Sequence, residues 1–265
     1  MRKSWVILLS LLLIAAAVEG VVAAVLDAGP PPVALAVRYG IAKYSNGQTV
    51  TFPRPFSSVP VVVTSAQLNG RAVSSCALNN STTAFQISLF DENKRPVQSA
   101  WVQWIAFVPR AAVDVIGGVF KASNGQHITF AATTAVPVIV TNAQKGGQAL
   151  NSSAMNNATS GYSIVIRDQD NNPVSDAWIQ WMAVVPSSTN RFKGQCSIRN
   201  SGDNVTFTPA FAGSPVYVVS AQSSGEPMAA AAADNRSDGF KLSLVRHDGS
   251  FGRNAWTQWI GYAGP

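Results

Sequence analysis

The chain has 265 residues, of which 12% are charged and 47% hydrophobic, and its formal net charge at pH 7 is +6. This low charge and high apolar content exclude a disordered chain and a coiled coil, because both are rich in charged residues. The basic residues are spread along the chain rather than concentrated in a run, so we do not expect nucleic acid as a partner. Length alone predicts one or two domains of ordinary size.

The N-terminal segment predicts export. Two basic residues precede an apolar run over residues 5–18, as in a secretory signal peptide. The alternative is an uncleaved anchor, because residues 5–26 are long enough to cross a bilayer of about 30 Å. We favour the signal peptide, since Glu19 lies inside this stretch and its burial in lipid is unfavourable. Residues 1–35 thus form a leader and a Pro-rich spacer, and the remainder is secreted or extracytoplasmic and membrane-anchored.

Export has two consequences for covalent chemistry. An oxidising compartment permits a disulfide between Cys76 and Cys196, although the two residues are far apart in the sequence. Asn-x-Ser/Thr sequences, the acceptors of N-linked glycans, arise by chance in a chain rich in Asn, Ser and Thr and mark only candidate positions. These positions are Asn79, Asn80, Asn151, Asn157, Asn204 and Asn235.

The chain beyond residue 35 is a threefold internal repeat. The pattern Trp-x-Gln-Trp occurs three times and ends at Trp104, Trp181 and Trp259, which are 77 and 78 residues apart. Ala-Gln pairs, proline residues and aromatic residues recur with the same spacing. We place repeat 1 at residues 36–109, repeat 2 at residues 113–186 and repeat 3 at residues 190–265.

Each repeat is predicted to form six short strands. In repeat 1, turns that contain Asn-Gly, Asn-Asn or proline separate apolar, β-branched segments. These segments are residues 37–43, 48–52, 59–68, 72–78, 85–90 and 100–108. Short strands divided by such turns are typical of an antiparallel sandwich. A unit of about 75 residues has only a small core of its own, so we expect the three copies to pack together.

The last strand of each repeat carries two tryptophans on opposite faces. Because side chains alternate along a strand, Trp101 and Gln103 share one face, while Val102 and Trp104 share the other. One tryptophan can fill the core, and the other must face outwards, a neighbouring repeat or a ligand. We favour burial between repeats over stacking against a sugar, because exposed tryptophan is unfavourable. The residues concerned are Trp101, Trp178 and Trp256.

The order of these landmarks resembles the H-type lectin domain. Repeat 1 contains Val50-Thr51-Phe52, an apolar run around Pro60, an Asn/Thr turn before Phe85, and a final Trp104-Ile105-Ala106; repeats 2 and 3 follow the same order. Members of that family are six-stranded antiparallel sandwiches that assemble as trimers and recognise N-acetylgalactosamine. The resemblance therefore implies an all-β fold of three tandem six-stranded antiparallel β-sandwiches that form a pseudo-trimer within one chain. It also implies that the three outer tryptophans meet near the pseudo-threefold axis.

The resemblance further implies ligand positions between the repeats. The family pocket uses an arginine at the start of the fourth strand, and a Trp-His pair and a tyrosine before the last strand. Arg71 stands close to the first position, but the full set is absent from every repeat, so specificity for an amino sugar does not follow. Acid, amide and guanidinium groups can still bind hydroxyls. The candidate ligand-binding residues are Arg71, Glu92, Asn93, Gln98, Gln148, Asp170, Asp248 and Arg253.

The sequence gives only weak indications of metal binding or catalysis. The run Asp168-x-Asp170-x-Asn172 resembles the start of a calcium loop but lacks the glycine and the distal glutamate, so we predict a hairpin loop. His127 and His247 have no nucleophile at a suggestive spacing. A glycosidase needs two carboxyl groups on opposite sides of a cleft, whereas the paired carboxylates of this chain are adjacent in one loop. We therefore predict no enzymatic activity, no metal and no cofactor.

The sequence thus predicts an exported carbohydrate-binding protein for cell-surface recognition or adhesion, with glycans or glycoconjugates as partners. The alternative is a structural or adhesive surface protein that keeps the lectin scaffold without binding sugar. We expect a monomeric pseudo-trimer or a higher assembly, with membrane anchoring through residues 5–26 if the leader is retained.

Overall fold

The computed structural model describes residues 35–109, 115–185 and 191–264. The predicted signal peptide or anchor lies outside these residues. Within the described ranges, the chain has no helix that is long and apolar enough to cross a membrane. Eighteen strands, six in each repeat, confirm the prediction of an all-β fold.

The strands recur with the same order and similar lengths in the three repeats. Repeat 1 contains β1 (Val37–Tyr44), β2 (Thr49–Thr51), β3 (Val61–Leu68), β4 (Arg71–Leu78), β5 (Ala84–Phe90) and β6 (Ala100–Phe107). Repeat 2 contains β7 (Val115–Ala122), β8 (His127–Thr129), β9 (Val138–Lys145), β10 (Gln148–Ala158), β11 (Gly161–Arg167) and β12 (Ala177–Val184). Repeat 3 contains β13 (Phe192–Arg199), β14 (Asn204–Thr206), β15 (Val216–Ser223), β16 (Glu226–Arg236), β17 (Gly239–Val245) and β18 (Ala255–Tyr262).

Each repeat forms one antiparallel sheet that curls into a sandwich. The strand order of the first sheet is β1-β6-β3-β4-β5-β2, and the other two sheets repeat it. The sheet turns within its fourth strand, because residues 71–73 of β4 pair with β3 whereas residues 74–78 pair with β5. Beyond this point β3 and β4 separate, so part of β3 has a pairing partner on one side only.

The predicted alternation of faces along the last strand is confirmed. Val102 and Trp104 of β6 lie in the hydrophobic core of repeat 1. The Trp104 ring is 3% exposed, and its centroid lies 5.7 Å from that of Phe52 and 5.6 Å from that of Phe85. Trp181 and Trp259 occupy the same position in the other two cores. Each core is therefore built around the second tryptophan of the Trp-x-Gln-Trp motif.

The glutamine of the motif, on the opposite face, binds the neighbouring repeat. Gln180 of repeat 2 reaches into repeat 1 at the point where β3 and β4 separate. Its Oε1 accepts hydrogen bonds from the Val62 N–H at 3.0 Å and from Asn80 Nδ2 at 2.6 Å, and its Nε2 donates to the Ala77 carbonyl at 2.6 Å. This side chain thus supplies the acceptor that the free edge of β3 lacks.

The same contact occurs at all three interfaces and closes a ring. Gln258 of repeat 3 binds repeat 2, and Gln103 of repeat 1 binds repeat 3. Their partners are Ile139, Ala154 and Asn157 for Gln258, and Tyr217, Ala232 and Asn235 for Gln103. A cavity of about 20 Å³, lined by residues of all three repeats that include Thr64, Asn142 and Ser220, marks the pseudo-threefold axis. The three sandwiches form a pseudo-trimer within one chain, as predicted.

The interfaces also use three of the candidate glycosylation positions. The Nδ2 atoms of Asn80, Asn157 and Asn235 donate to the motif glutamines at 2.6, 2.6 and 2.5 Å. Each of these nitrogens also donates to a carbonyl of its own repeat. An N-linked glycan is attached through this nitrogen and would remove a donor. A glycan at any of these three positions would therefore cost one of the hydrogen bonds that this nitrogen donates.

We expect Gln180→Ala to lower the free energy of unfolding by about 3 kcal/mol, because it removes three inter-repeat hydrogen bonds and leaves the buried Val62 N–H without an acceptor. Denaturant unfolding followed by tryptophan fluorescence measures the change. Gln98→Ala is the matched control: Gln98 is exposed, so we expect a change below about 0.5 kcal/mol. Equal stability of the Gln180→Ala and wild-type chains would show that the motif glutamine does not hold the repeats together.

Candidate functional site

Arg71 and Glu92, two of the predicted ligand-binding residues, come together at the interface of repeats 1 and 3. Arg71 Nη2 donates to Glu92 Oε1 at 3.2 Å and to the Gly249 carbonyl of repeat 3 at 2.9 Å. The guanidinium carbon lies 5.2 Å from the centroid of the Phe251 ring. The side chains of Arg71 and Glu92 are 40% and 25% exposed, so the ion pair is partly solvated and stabilises the fold by at most about 1 kcal/mol.

A pocket of about 350 Å³ opens next to this cluster. Repeat 1 contributes Gln67 and Gly70 to its lining, and repeat 3 contributes Lys241, Ser243 and Phe251. Amide, hydroxyl and ammonium groups can bind the hydroxyls of a ligand. The sequence did not indicate the residues of repeat 3, because Gly249 is 178 residues from Arg71 and only the ring closure brings the two together.

Gln148 lies at the corresponding place between repeats 1 and 2, but its side chain has a partner within repeat 2. Its Nε2 donates to Gln169 Oε1 at 2.9 Å, and Gln169 Nε2 donates to the Ala149 carbonyl at 2.8 Å. The Ala149 N–H in turn donates to Ser88 Oγ of repeat 1 at 2.9 Å. Ser88, which lies within β5, is a contributor that the sequence analysis missed.

Asp170 binds across the same interface. Lys94 of repeat 1 donates to the Asp170 carboxylate, and this hydrogen bond raises the pKa of Lys94. Lys94 Nζ also lies 3.6 Å from Asp168 Oδ2. Desolvation opposes ionisation of Asp168, but hydrogen bonds from Asn172 and from the Asp170 N–H outweigh it and lower its pKa. The Asp168 carboxylate therefore stabilises its own turn, in agreement with the predicted hairpin loop.

The remaining predicted residues do not join a common pocket. Asp248 Oδ1 accepts hydrogen bonds from the Ser250 N–H at 2.9 Å and from the Ser250 hydroxyl at 2.6 Å, which lower its pKa. Asn93, Gln98 and Arg253 are exposed, and their side chains form no hydrogen bond with the residues that the structure describes. Of the eight predicted residues, Arg71 and Glu92 thus lie at the interface of repeats 1 and 3. Gln148 and Asp170 lie at the interface of repeats 1 and 2.

The outer tryptophans are not buried between repeats and do not meet at the axis. Trp101, Trp178 and Trp256 are 42%, 45% and 40% exposed, and none of them lines the axial cavity. The physical reason lies in the motif. The glutamine occupies the interface, and the outer tryptophan lies two residues earlier, about 7 Å further along the strand, at the rim of the contact.

Two of these tryptophans line grooves between repeats. Trp178 lines a groove of about 620 Å³ between repeats 1 and 2, together with Val119. Trp256 lines a groove of about 630 Å³ between repeats 2 and 3, together with Gln195 and Gln222. These grooves combine an exposed indole with neutral amides, so they form a second kind of inter-repeat surface.

The disulfide that an oxidising compartment permits is not formed. In the part of the chain that the structure describes, both cysteines are free thiols. Cys76 lines the groove between repeats 1 and 2, whereas Cys196 lines the groove between repeats 2 and 3, so the ring keeps them apart. Burial raises the pKa of Cys76 to about 12 and that of Cys196 to about 11, so both thiols stay protonated at neutral pH.

No protein-family model, no curated protein and no solved structure matches the chain. The resemblance of the repeats to the H-type lectin domain stays a prediction.

We expect the burial of Cys76 to make the folded protein less stable in alkali. Its pKa is about 12 when folded and about 9 when unfolded, so this contribution is fully present below pH 9 and is lost as the pH rises towards 12. For one thiol the slope reaches about 1.4 kcal/mol per pH unit.

Urea unfolding between about pH 8 and 10.5 measures this dependence. Cys76→Ala is the control, because repeat 3 has Ala231 at the equivalent position. Wild-type stability should fall relative to that of Cys76→Ala as the pH rises. Parallel curves for the two chains would contradict the assignment of a raised pKa to Cys76.

Proposed function

We propose that this chain is an exported carbohydrate-binding protein that recognises glycans through the clefts between its repeats. The observation that carries the proposal is the Arg71 cluster. Its guanidinium is 40% exposed and is oriented by Glu92 and by the Gly249 carbonyl beside a pocket of about 350 Å³. The Phe251 ring lies next to it. An oriented donor beside an aromatic ring can bind the hydroxyls of a sugar and contact its C–H face.

The predicted resemblance supports this reading. The pocket of H-type lectins lies between protomers and contains an arginine at the start of the fourth strand, and Arg71 at the start of β4 stands close to that position. Gln148 and Glu226 begin the equivalent strands β10 and β16, so the three clefts differ in charge. Three unequal weak sites on one rigid ring would gain affinity for a multivalent glycan surface through their high effective concentration.

The predicted leader supports a place for this activity outside the cytoplasm, either secreted or held at the membrane through residues 5–26. The low charge of the chain is compatible with recognition of neutral glycans at a cell surface or with adhesion to them. Glycans and glycoconjugates are therefore the partners that we propose.

A structural or adhesive protein without sugar binding is the second candidate, and one observation favours it. Polar groups in two of the clefts already bond to one another: Gln148 binds Gln169, and Asn171 Nδ2 of repeat 2 donates to Glu226 Oε1 of repeat 3 at 3.1 Å. A ligand would have to replace these bonds. In this function the ring would serve as a rigid spacer or adhesive surface.

A glycan array probed with the purified full chain tests the proposal. We expect binding to at least one glycan, and we expect Arg71→Ala to weaken it about tenfold, because a hydrogen bond from a charged donor contributes about 1.5–3 kcal/mol. Arg54→Ala is the matched control: Arg54 is exposed in the segment between β2 and β3, and its loss removes the same charge. Absence of binding to every glycan at high protein concentration would favour the scaffold function.

A further inference from the structure

We propose that the groove between repeats 2 and 3 is a glycan-binding site separate from the Arg71 cleft, in which the Trp256 ring stacks on the C–H face of a neutral sugar. This inference rests on the proposed function and adds a second binding surface for it. Four observations carry it: the position of exposed apolar side chains, the neutrality of the groove, its size, and the absence of a cation over Trp256.

Exposed apolar side chains concentrate at the inter-repeat grooves. Val59, Val119 and Trp178 are 56%, 45% and 45% exposed and line the groove between repeats 1 and 2. Val136 and Trp256 are 54% and 40% exposed and line the groove between repeats 2 and 3. Exposed apolar side chains that cluster in this way often mark a binding site on a soluble protein.

The polar part of the lining is uncharged. Asn156, Gln195 and Gln222 line the groove with Trp256, and none of its described lining residues is charged. Each amide has two donor hydrogens and an acceptor oxygen, which matches hydroxyl groups that both donate and accept. An anionic or cationic ligand would find no counter-charge in this lining, so the chemistry selects a neutral, hydroxyl-rich molecule.

The size of the groove agrees with this ligand class. Its volume of about 630 Å³ falls within the range of about 300–1,000 Å³ that small-molecule sites occupy. A pyranose has one face of C–H groups and a rim of hydroxyls. The exposed indole of Trp256 can stack on the C–H face, and the amides can form hydrogen bonds with the hydroxyls.

The three outer tryptophans differ in what lies over their rings. Lys43 and Lys121 stand opposite Trp101 and Trp178 in the β1–β6 and β7–β12 pairs, with each Nζ 5.6 and 5.7 Å from the ring centroid. Asp176 holds Lys121 in place through a contact of 3.1 Å. In repeat 3 the equivalent residue is Ile198, and among the described residues no cation lies over Trp256. A sugar would therefore not have to displace a lysine from the Trp256 ring, as it would from the other two.

Nuclear magnetic resonance of the ¹⁵N-labelled full chain tests the site, with lactose, maltose and N,N′-diacetylchitobiose added one at a time as probes. Trp256→Phe identifies the indole N–H signal of Trp256 by its loss. We expect this signal to shift and saturate at millimolar concentrations of at least one sugar, while the Trp101 signal stays in place.

Three variants connect the signal to the groove. We expect Trp256→Ala to weaken binding of that sugar about tenfold, since aromatic stacking and the lost apolar contact together reach about 1.4 kcal/mol. Ile198→Lys restores the lysine of repeats 1 and 2 at a position that is 66% exposed, so it should weaken binding without affecting folding. Trp101→Ala is the matched control and should bind like wild type.

The outcomes separate this inference from the proposed function. Loss of binding in Arg71→Ala, with unchanged binding in Trp256→Ala and Ile198→Lys, would overturn the groove site and leave the Arg71 cleft. The reverse pattern would support the groove and overturn the Arg71 cleft. No response to any sugar, together with a blank glycan array, would overturn both. A Trp256 signal that responds to a proline-rich peptide but to none of the sugars would overturn the glycan as the occupant.

Discussion

The whole assembly depends on one backbone constraint. Each sheet turns into a sandwich within its fourth strand, and this turn separates β3 from β4 and leaves N–H groups on β3 without a sheet partner. A buried N–H without an acceptor costs about 1–3 kcal/mol. The neighbouring repeat supplies the acceptors: Gln180 binds the Val62 N–H, and Asn142 binds the Thr64 N–H at 2.6 Å. Each repeat therefore needs a neighbour, which explains why three copies occur in one chain and close into a ring.

The same constraint places the surfaces that a ligand can reach. Because the motif glutamine occupies the interface, the outer tryptophan two residues earlier lies at the rim, where Trp178 and Trp256 line grooves. Ring closure also brings the first and third repeats together at Arg71. The backbone is nearly threefold, but residues such as Lys43, Lys121 and Ile198 differ at equivalent positions. Three similar interfaces thus present three chemically different surfaces.

Strand positions were predictable because they depend on local patterns. The six segments expected in repeat 1 agree with the observed strands to within two residues at each end, and Val102 and Trp104 face the core as alternation requires. Functional groupings were less accessible. The adjacency of Arg71 and Glu92 followed from a resemblance, but their contact with Gly249 did not, since it spans 178 residues. The expected burial of the outer tryptophans between repeats was wrong, and Cys76 and Cys196, whose pairing the sequence left open, are free thiols. Both outcomes depend on which face and which edge of a sandwich meets its neighbour.

The sequence by itself determined the number of repeats, the strands within each, and the tryptophan that fills each core, since periodicity and turn residues act over a few positions. Only the tertiary structure decided the partners of the motif glutamines and of Asn80, Asn157 and Asn235, which had been candidate glycan acceptors. It also decided which indoles remain exposed. These outcomes follow from the opening between the third and fourth strands, a feature of the curled sheet that no short sequence pattern encodes. The surfaces available for binding are therefore a property of the closed ring rather than of any single repeat.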